Sequence, residues 1–144
     1  MDREILFRAK HIHAIPGNEH LNGTWVHGYL SDKNYINDKS LEGEFLIDED
    51  TICQYTGLTD KNGKKIFEGD IVRYGEICGE VKFGLYEANF SLSNLNQGFY
   101  VEFPEDSLYR GELGYWRNKI VVVGNVFDNP ELLEDKENKY GEDI

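Results

Sequence analysis

The sequence predicts a small, mainly β protein, built as a barrel or as a strongly bent antiparallel sheet, with one or two short helices. Two observations carry this prediction: many short segments alternate apolar and polar residues, and turn-forming residues separate them at frequent intervals. At 144 residues the chain is long enough to bury a core. We therefore expect a single β domain over residues 1–134 and an acidic, flexible tail over residues 135–144.

The first half contains three predicted strands, over residues 4–9, 24–30 and 44–47. In the second of these, Trp25, His27 and Tyr29 fall on one face because side chains alternate along a strand. The polar stretch 31–40 is expected to be irregular. Residues 48–51 can cap a short helical turn through residues 52–55, which Gly57 would end.

The segment 54–74, QYTGLTDKNGKKIFEGDIVRY, packs two reverse-turn signals around a short apolar island. Asn62-Gly63 predicts a type I′ hairpin turn, and Gly69-Asp70 predicts a second reversal before a strand that begins at Ile71. One interpretation is a binding loop held by two turns. The other, which we favour, is a hairpin that organises the fold. Its marked residues are Gln54, Tyr55, Gly57, Asn62, Gly63, Gly69 and Asp70.

The second half predicts strands over residues 79–83, 86–92, 98–103 and 119–126. The last is the most apolar, so we expect it to be central and covered on both faces. Residues 67–103 resemble an SH3-like barrel in strand length, by analogy alone. Asn129 followed by Pro130 predicts the start of a short helix near the C-terminus.

Four segments together resemble the YopX family, small proteins encoded by bacteriophages and prophages. They are the segment 54–74, the opening stretch 3–10, the strand WVHGYL at 25–30 and the closing VVVGNVFDNPELLE at 121–134. The chain departs from the family pattern at Asp50 and Cys53, where the family often has Pro and Gly. The resemblance implies a phage or prophage accessory protein, and it brings no established activity with it.

The net charge of −12, with a pI of about 4.7, is opposite to what a phosphate-backbone binder needs, so direct nucleic-acid binding is not expected. The charge favours solubility, and mimicry of nucleic acid is the alternative. No apolar run is long enough to span a bilayer. Cys53 and Cys78 lack a metal-binding spacing and are expected to be free thiols in the cytoplasm of a bacterial host.

Catalytic motifs are absent from the sequence. His11 and His13 could form a metal pair on one face of a strand, but no carboxylate partner is placed by a motif, and we interpret them as surface histidines. No nucleophile motif or phosphate-binding loop is present. We expect no catalytic residue, no metal and no cofactor, and therefore no enzymatic activity.

The predicted function is a protein-binding module, with an unknown host or phage protein as partner. The candidate patch is Tyr109, Tyr115, Trp116 and Arg117, because aromatic and Arg side chains are enriched at interfaces. The same residues could instead pack back onto the fold as a cover, or form a homo-oligomer interface. The alternative function is a nucleic-acid-related phage factor, acting as an acidic mimic or in a replication, regulation or packaging complex.

Overall fold

A computed structural model describes residues 5–12, 23–32, 34–87, 95–104 and 111–133. The mainly β prediction is confirmed. The strands form two antiparallel sheets, and within the described residues no barrel closes. The elements in chain order are β1 (Phe7–Lys10), β2 (Trp25–Asp32), β3 (Tyr35–Asp38), β4 (Gly43–Leu46), a 3₁₀ turn (Glu49–Thr51), β5 (Cys53–Thr59), β6 (Lys65–Phe67), β7 (Asp70–Tyr74), β8 (Ile77–Glu87), β9 (Leu95–Glu102), α1 (Leu113–Trp116) and β10 (Val121–Asn125).

The chain divides into two compact units, residues 1–57 and 58–144. In the first unit the strands follow the order β4-β3-β2-β1-β5, all antiparallel. Ala9 pairs with Val26, so both point to the same face, and together with Ile36 and Ile47 they form the buried core of this unit. Strand alternation then leaves Trp25, His27 and Tyr29 on the opposite face, as predicted.

Two expectations for the first unit are wrong. Residues 35–38 form β3 instead of an irregular stretch, because pairing with β2 and β4 on either side satisfies their backbone and Ile36 packs into the core. The predicted helical turn over 52–55 is also wrong, since these residues enter β5. Asp48 does cap a helical turn, accepting a hydrogen bond from the Asp50 N–H at 3.1 Å, but the turn is 3₁₀ and ends at Thr51.

The second unit contains the end of β5, the hairpin turn into β6, and a four-stranded sheet of order β10-β7-β8-β9. Its core combines side chains from most of these elements and from α1: Ile66, Val72, Val81, Val101, Leu113, Trp116 and Ile120. Residues 77–87 form one strand where two were predicted. It continues without a break through Gly84 and pairs with β9 from Glu80 to Glu87.

The apolar sequence of β10 predicted a central strand. Instead, β10 lies at the end of the sheet order, and all five of its residues are half-buried. The predicted C-terminal helix begins where expected, with residues 131–133 helical and the Leu132 N–H bonded to the Asn129 carbonyl at 3.0 Å. The predicted tail over 135–144 lies outside the described residues, and the single-domain boundary at 134 stays a prediction.

The hairpin turn between β5 and β6 is real, but its predicted type is wrong. A type I′ turn needs positive φ at both central residues, whereas only Gly63, at 86°, has it here. The Gly63 N–H bonds to the Asp60 carbonyl at 3.0 Å and the Asp60 N–H to the Lys64 carbonyl at 2.8 Å. This is the three-residue loop in which a type I turn is followed by a left-handed glycine.

Candidate functional site

The predicted interaction patch is not one exposed surface. Trp116 is only 2% exposed and belongs to the core of the second unit, where its ring makes edge contacts with Tyr74 and Phe103, each at 5.0 Å between centroids. Its assignment to a surface patch is therefore corrected, because a core side chain cannot meet a partner without unfolding the unit. For Trp116 the alternative, an aromatic that packs back onto the fold, is the observed arrangement.

The other patch residues divide between surface and interior. Tyr115 is exposed, with the Lys119 ammonium 4.6 Å from the centre of its ring, and Arg117 is half-buried. Tyr109 lies outside the described residues. Of the three patch residues that the structure describes, Tyr115 is the exposed one.

The segment 54–74 is tied together by two buried aspartates. Asp60 accepts hydrogen bonds from the N–H groups of Asn62 (2.8 Å), Lys64 (3.0 Å) and Val122 (2.9 Å), so it joins the hairpin turn to β10. Burial alone would raise the pKa of Asp60, but these N–H donors outweigh it and hold the pKa below its ordinary value of 3.8. Asp70 is fully buried and accepts the Phe67 N–H at 2.8 Å.

The remaining marked residues of this segment also have backbone or core positions. Gln54 pairs with Phe7, and the buried Tyr55 donates its N–H to the Leu6 carbonyl at 2.8 Å. Gly57, Gly63 and Gly69 all have φ near +88°, a region that glycine adopts without steric cost. These placements agree with a segment that organises the fold.

An apolar ridge on the β8–β9 hairpin was not anticipated from the sequence. We define the hairpin ridge as Phe83, Leu85 and Phe99, which lie on the same face as the core residues Val81 and Val101 but further along the hairpin. Phe83 is 51% and Leu85 66% exposed, and the rings of Phe83 and Phe99 meet edge-on at 5.0 Å. The ridge therefore extends the core face of the sheet into solvent.

The opposite face of this hairpin is polar and aromatic. Lys82 forms an ion pair with Glu102 at 2.6 Å, and this bond raises the pKa of Lys82. Burial, with Glu102 and Glu68 nearby, raises the pKa of Glu80 against the opposing effect of Lys82. Tyr86 stacks on Tyr100 with centroids 5.6 Å apart. The two faces of the hairpin thus differ sharply in chemistry.

The first unit has an open groove of about 530 Å³ between the start of β1, strand β2 and the β3–β4 turn. Its apolar wall is Ile5 and Leu6, and its polar side includes His27, Tyr29, Asn37 and Lys39. The Lys39 ammonium lies 5.5 Å from the centre of the Tyr29 ring. Alternation in the sequence indicated that His27 and Tyr29 share a face. It could not indicate that residues 5, 6 and 39 lie beside them, because the tertiary fold brings these residues together.

Among the described residues that line the groove, the acidic one is Asp38, and it is buried and fully engaged. It accepts the His27 N–H at 2.9 Å, the Ser40 hydroxyl at 2.6 Å, and the N–H groups of Ser40 and Leu41. Burial opposes ionisation, but these donors prevail and lower the pKa of Asp38. Desolvation and the nearby Arg8 guanidinium lower the pKa of His27 below 6.5, with Asp38 acting in the other direction.

The histidines and cysteines of the described residues have structural positions. Within the described residues, no three His, Cys, Asp or Glu side chains are grouped in a way that could hold a metal ion. The His11 Nδ1 is 2.9 Å from the Leu46 carbonyl and its ring packs against Phe45, while His13 lies outside the described residues. Neither Cys53, which is buried, nor the half-buried Cys78 is part of a disulfide. Among the helices that the structure describes, none has the length and apolar character needed to cross a membrane.

Comparison with known proteins gives one family match and one structural relative of note. The chain resembles the crystal structure of protein EF1440 from Enterococcus faecalis at 24% sequence identity and a TM-score of 0.45, over 92% of this chain and 99% of that one. A search of curated proteins finds no match. The family model described as YopX protein matches residues 22–134, which include β2, the segment 54–74 and the closing motif. The chain therefore belongs to the YopX family.

Proposed function

We propose that this protein is a non-enzymatic protein-binding module of phage or prophage origin that acts in the bacterial cytoplasm. The single observation that supports the proposal best is the hairpin ridge. Phe83 and Leu85 are large apolar side chains held in solvent on a regular strand, at a cost of about 25 cal/mol for each Å² of apolar surface left exposed. Exposed apolar clusters on small proteins often mark interaction sites.

The chemistry of the ridge favours an apolar protein surface as its partner. The ridge carries no charged side chain, and the chain as a whole has a net charge of −12, so a phosphate backbone would be repelled and would find no cation there. The cross-strand contact between Phe83 and Phe99 orders these two rings before binding, which reduces the entropy that binding must overcome. An unknown host or phage protein with an apolar groove fits these features.

The test compares ridge variants with a matched control. Leu85→Ser and Phe83→Ser remove the ridge at exposed sites, and Leu41→Ser removes an equally large exposed side chain from the first unit. We expect a protein captured from lysogenic cells to be recovered with the wild type and the Leu41 variant and lost with the ridge variants. With the captured protein purified, calorimetry should show binding at least about tenfold weaker for the ridge variants, and a negative heat-capacity change for the wild type.

Three results would contradict the proposal. Equal affinity for wild type and ridge variants would show that the ridge does not contact the partner. Gel filtration that shows a wild-type dimer and monomeric ridge variants would show that the ridge binds a second copy of this chain instead of another protein. Recovery of a DNA-processing complex that is retained by the ridge variants would favour the alternative, a nucleic-acid-related phage factor. The melting temperature of each variant serves as the control for folding.

A further inference from the structure

We propose that the groove of the first unit is a second binding site, and that it takes a short acidic peptide segment with an aliphatic side chain beside the carboxylate. The inference is independent of the hairpin ridge, which lies in the other unit. It rests on the way in which cationic, aromatic and apolar side chains are combined in the groove and on the adjoining face of β2.

Three cations lie against aromatic rings of β2, although the chain is acidic, and one of them, Arg8, is buried. Residues 1–57 contain five Lys or Arg, and three of them lie against the rings of β2. The Arg8 guanidinium is 4.8 Å and the Lys10 ammonium 5.5 Å from the Trp25 ring centre, and Lys39 is placed similarly over Tyr29. Because Arg8 pairs with His27 and Lys10 with Trp25 across the strands, all of these groups face the same way.

In the part of the groove that the structure describes, the lining offers a ligand the Lys39 cation and the apolar side chains of Ile5 and Leu6. Lys39 is exposed at the rim, and no carboxylate of the described residues forms an ion pair with its ammonium. Ile5, 61% exposed, and Leu6 line the other side, across from Tyr29. A ligand that fills this space must present an apolar group to the wall and an anionic group to Lys39.

The negative charge of Asp38 favours a carboxylate over a phosphate as the anionic group of the ligand. Asp38 lines the groove and is held ionised by its four hydrogen bonds, so a doubly charged phosphate placed in the groove would be repelled by it. A carboxylate at the rim reaches Lys39 with a single negative charge. The volume of about 530 Å³ accommodates a few residues of extended peptide.

The probe is an acetylated and amidated tetrapeptide of alternating aspartate and leucine, titrated into the full chain at low salt. Binding is followed by the amide NMR shifts of groove residues, up to about 5 mM peptide. We expect saturable shifts at His27, Gly28 and Lys39. The same tetrapeptide with asparagine in place of aspartate, or glycine in place of leucine, should bind at least about fivefold more weakly.

The chain provides a matched pair of variants. Lys39→Gln removes the cation over Tyr29, whereas Lys119→Gln removes an equivalent cation over Tyr115 in the second unit. We expect the first to weaken binding about tenfold and the second to leave it unchanged. Both sites are exposed, and the spectrum itself reports whether each variant is folded.

The proposal is overturned if no saturable shift occurs at the groove, if the asparagine peptide binds as well as the aspartate peptide, or if Lys39→Gln has no effect. Inorganic phosphate is titrated separately. Saturable shifts at the groove with phosphate and none with the aspartate–leucine peptide would identify an anion site of a different kind and would refute the peptide assignment.

Discussion

At the scale of single residues, a buried aspartate in a turn can make a long-range hydrogen bond in addition to the local ones that its position in the sequence predicts. An aspartate at a turn commonly accepts a backbone N–H two residues further on, and Asp60 accepts the Asn62 N–H in this way. Its second oxygen, however, accepts the N–H of Val122, 62 positions away along the chain. No local pattern signals this contact, because it depends on where β10 lies in the folded unit.

Asp60→Asn tests the energetic role of this residue. An amide has one acceptor oxygen and turns its NH₂ towards N–H groups, so we expect a loss of roughly 1–3 kcal/mol in the free energy of unfolding near pH 7, measured with urea. Asp50→Asn, at an exposed site in the 3₁₀ turn, is the control and should change stability by less than about 0.5 kcal/mol. An Asp60 variant as stable as the wild type would show that the three hydrogen bonds contribute nothing net.

The pH dependence of the same variant has a definite sign. Because the pKa of Asp60 in the folded state lies below its ordinary value of 3.8, the stabilisation is complete above that value and is lost as the pH falls through the folded pKa. The difference in unfolding free energy between the wild type and Asp60→Asn should therefore shrink as the pH is lowered through the acid range. A difference that stays constant as the pH falls from 7 would contradict the assigned protonation.

At the scale of elements, two glycines illustrate different reasons for the same residue type. Gly63 sits at φ 86° in the hairpin turn, and nothing lies within 4 Å of where a Cβ would be. Gly28 has no such backbone requirement, but an added Cβ would lie 1.9 Å from the Asn37 carbonyl oxygen, because β2 and β3 approach closely there. One glycine is needed for its conformation and the other for its lack of volume.

Alanine at each position separates these two causes. Gly63→Ala should cost about 1 kcal/mol, the usual penalty for a left-handed conformation, and leave the strands unchanged. Gly28→Ala forces β2 and β3 apart and should cost roughly 3 kcal/mol or prevent folding. Urea denaturation ranks the two, and amide exchange at β3 should rise only in the Gly28 variant. Equal costs would mean that the close approach of the strands relaxes easily.

Elements with strong alternation or turn signals were predictable, and elements set by tertiary pairing were not. β2 and β7 were expected nearly as they are, since alternation defines their faces. β3 was missed because it is short and lies in the largely polar stretch 31–40, and pairing with its two neighbours supplies its stability. The apolar sequence of β10 predicted a central strand. Its edge is instead covered by the hairpin turn, where Asp60 accepts the Val122 N–H and the Lys61 N–H bonds to the Ile120 carbonyl. An apolar run alone does not distinguish a central strand from an edge covered by a turn.

The candidate surfaces follow the same rule. Tyr115 was predicted at the surface and lies there, whereas Trp116, its neighbour in α1, is in the core. A helix of four residues is too short to reveal a periodic apolar face, so sequence could not separate the two. Phe83 and Leu85 continue the alternation of Val81, and nothing in the sequence marks where the core ends and solvent begins. Their exposure is visible only in the fold.

At the scale of the whole molecule, net charge governs what this surface can attract. With 27 acidic against 15 basic residues the chain is strongly anionic, and three of the five cations of the first unit lie against aromatic rings of β2. A groove with one exposed cation can hold a carboxylate locally. It cannot neutralise the series of phosphates that nucleic-acid affinity requires.

Duplex DNA of mixed sequence should therefore not bind, even where attraction is strongest. We expect no change in the fluorescence anisotropy of a labelled duplex at about 20 mM salt, with protein up to about 100 μM, because non-specific binding depends on counterion release by several cations acting together. A positive result that weakens steeply with salt would contradict this expectation and reveal a basic surface despite the net charge of −12. Lys39→Gln is informative in that event, since loss of binding in that variant would place the DNA at the β2 face.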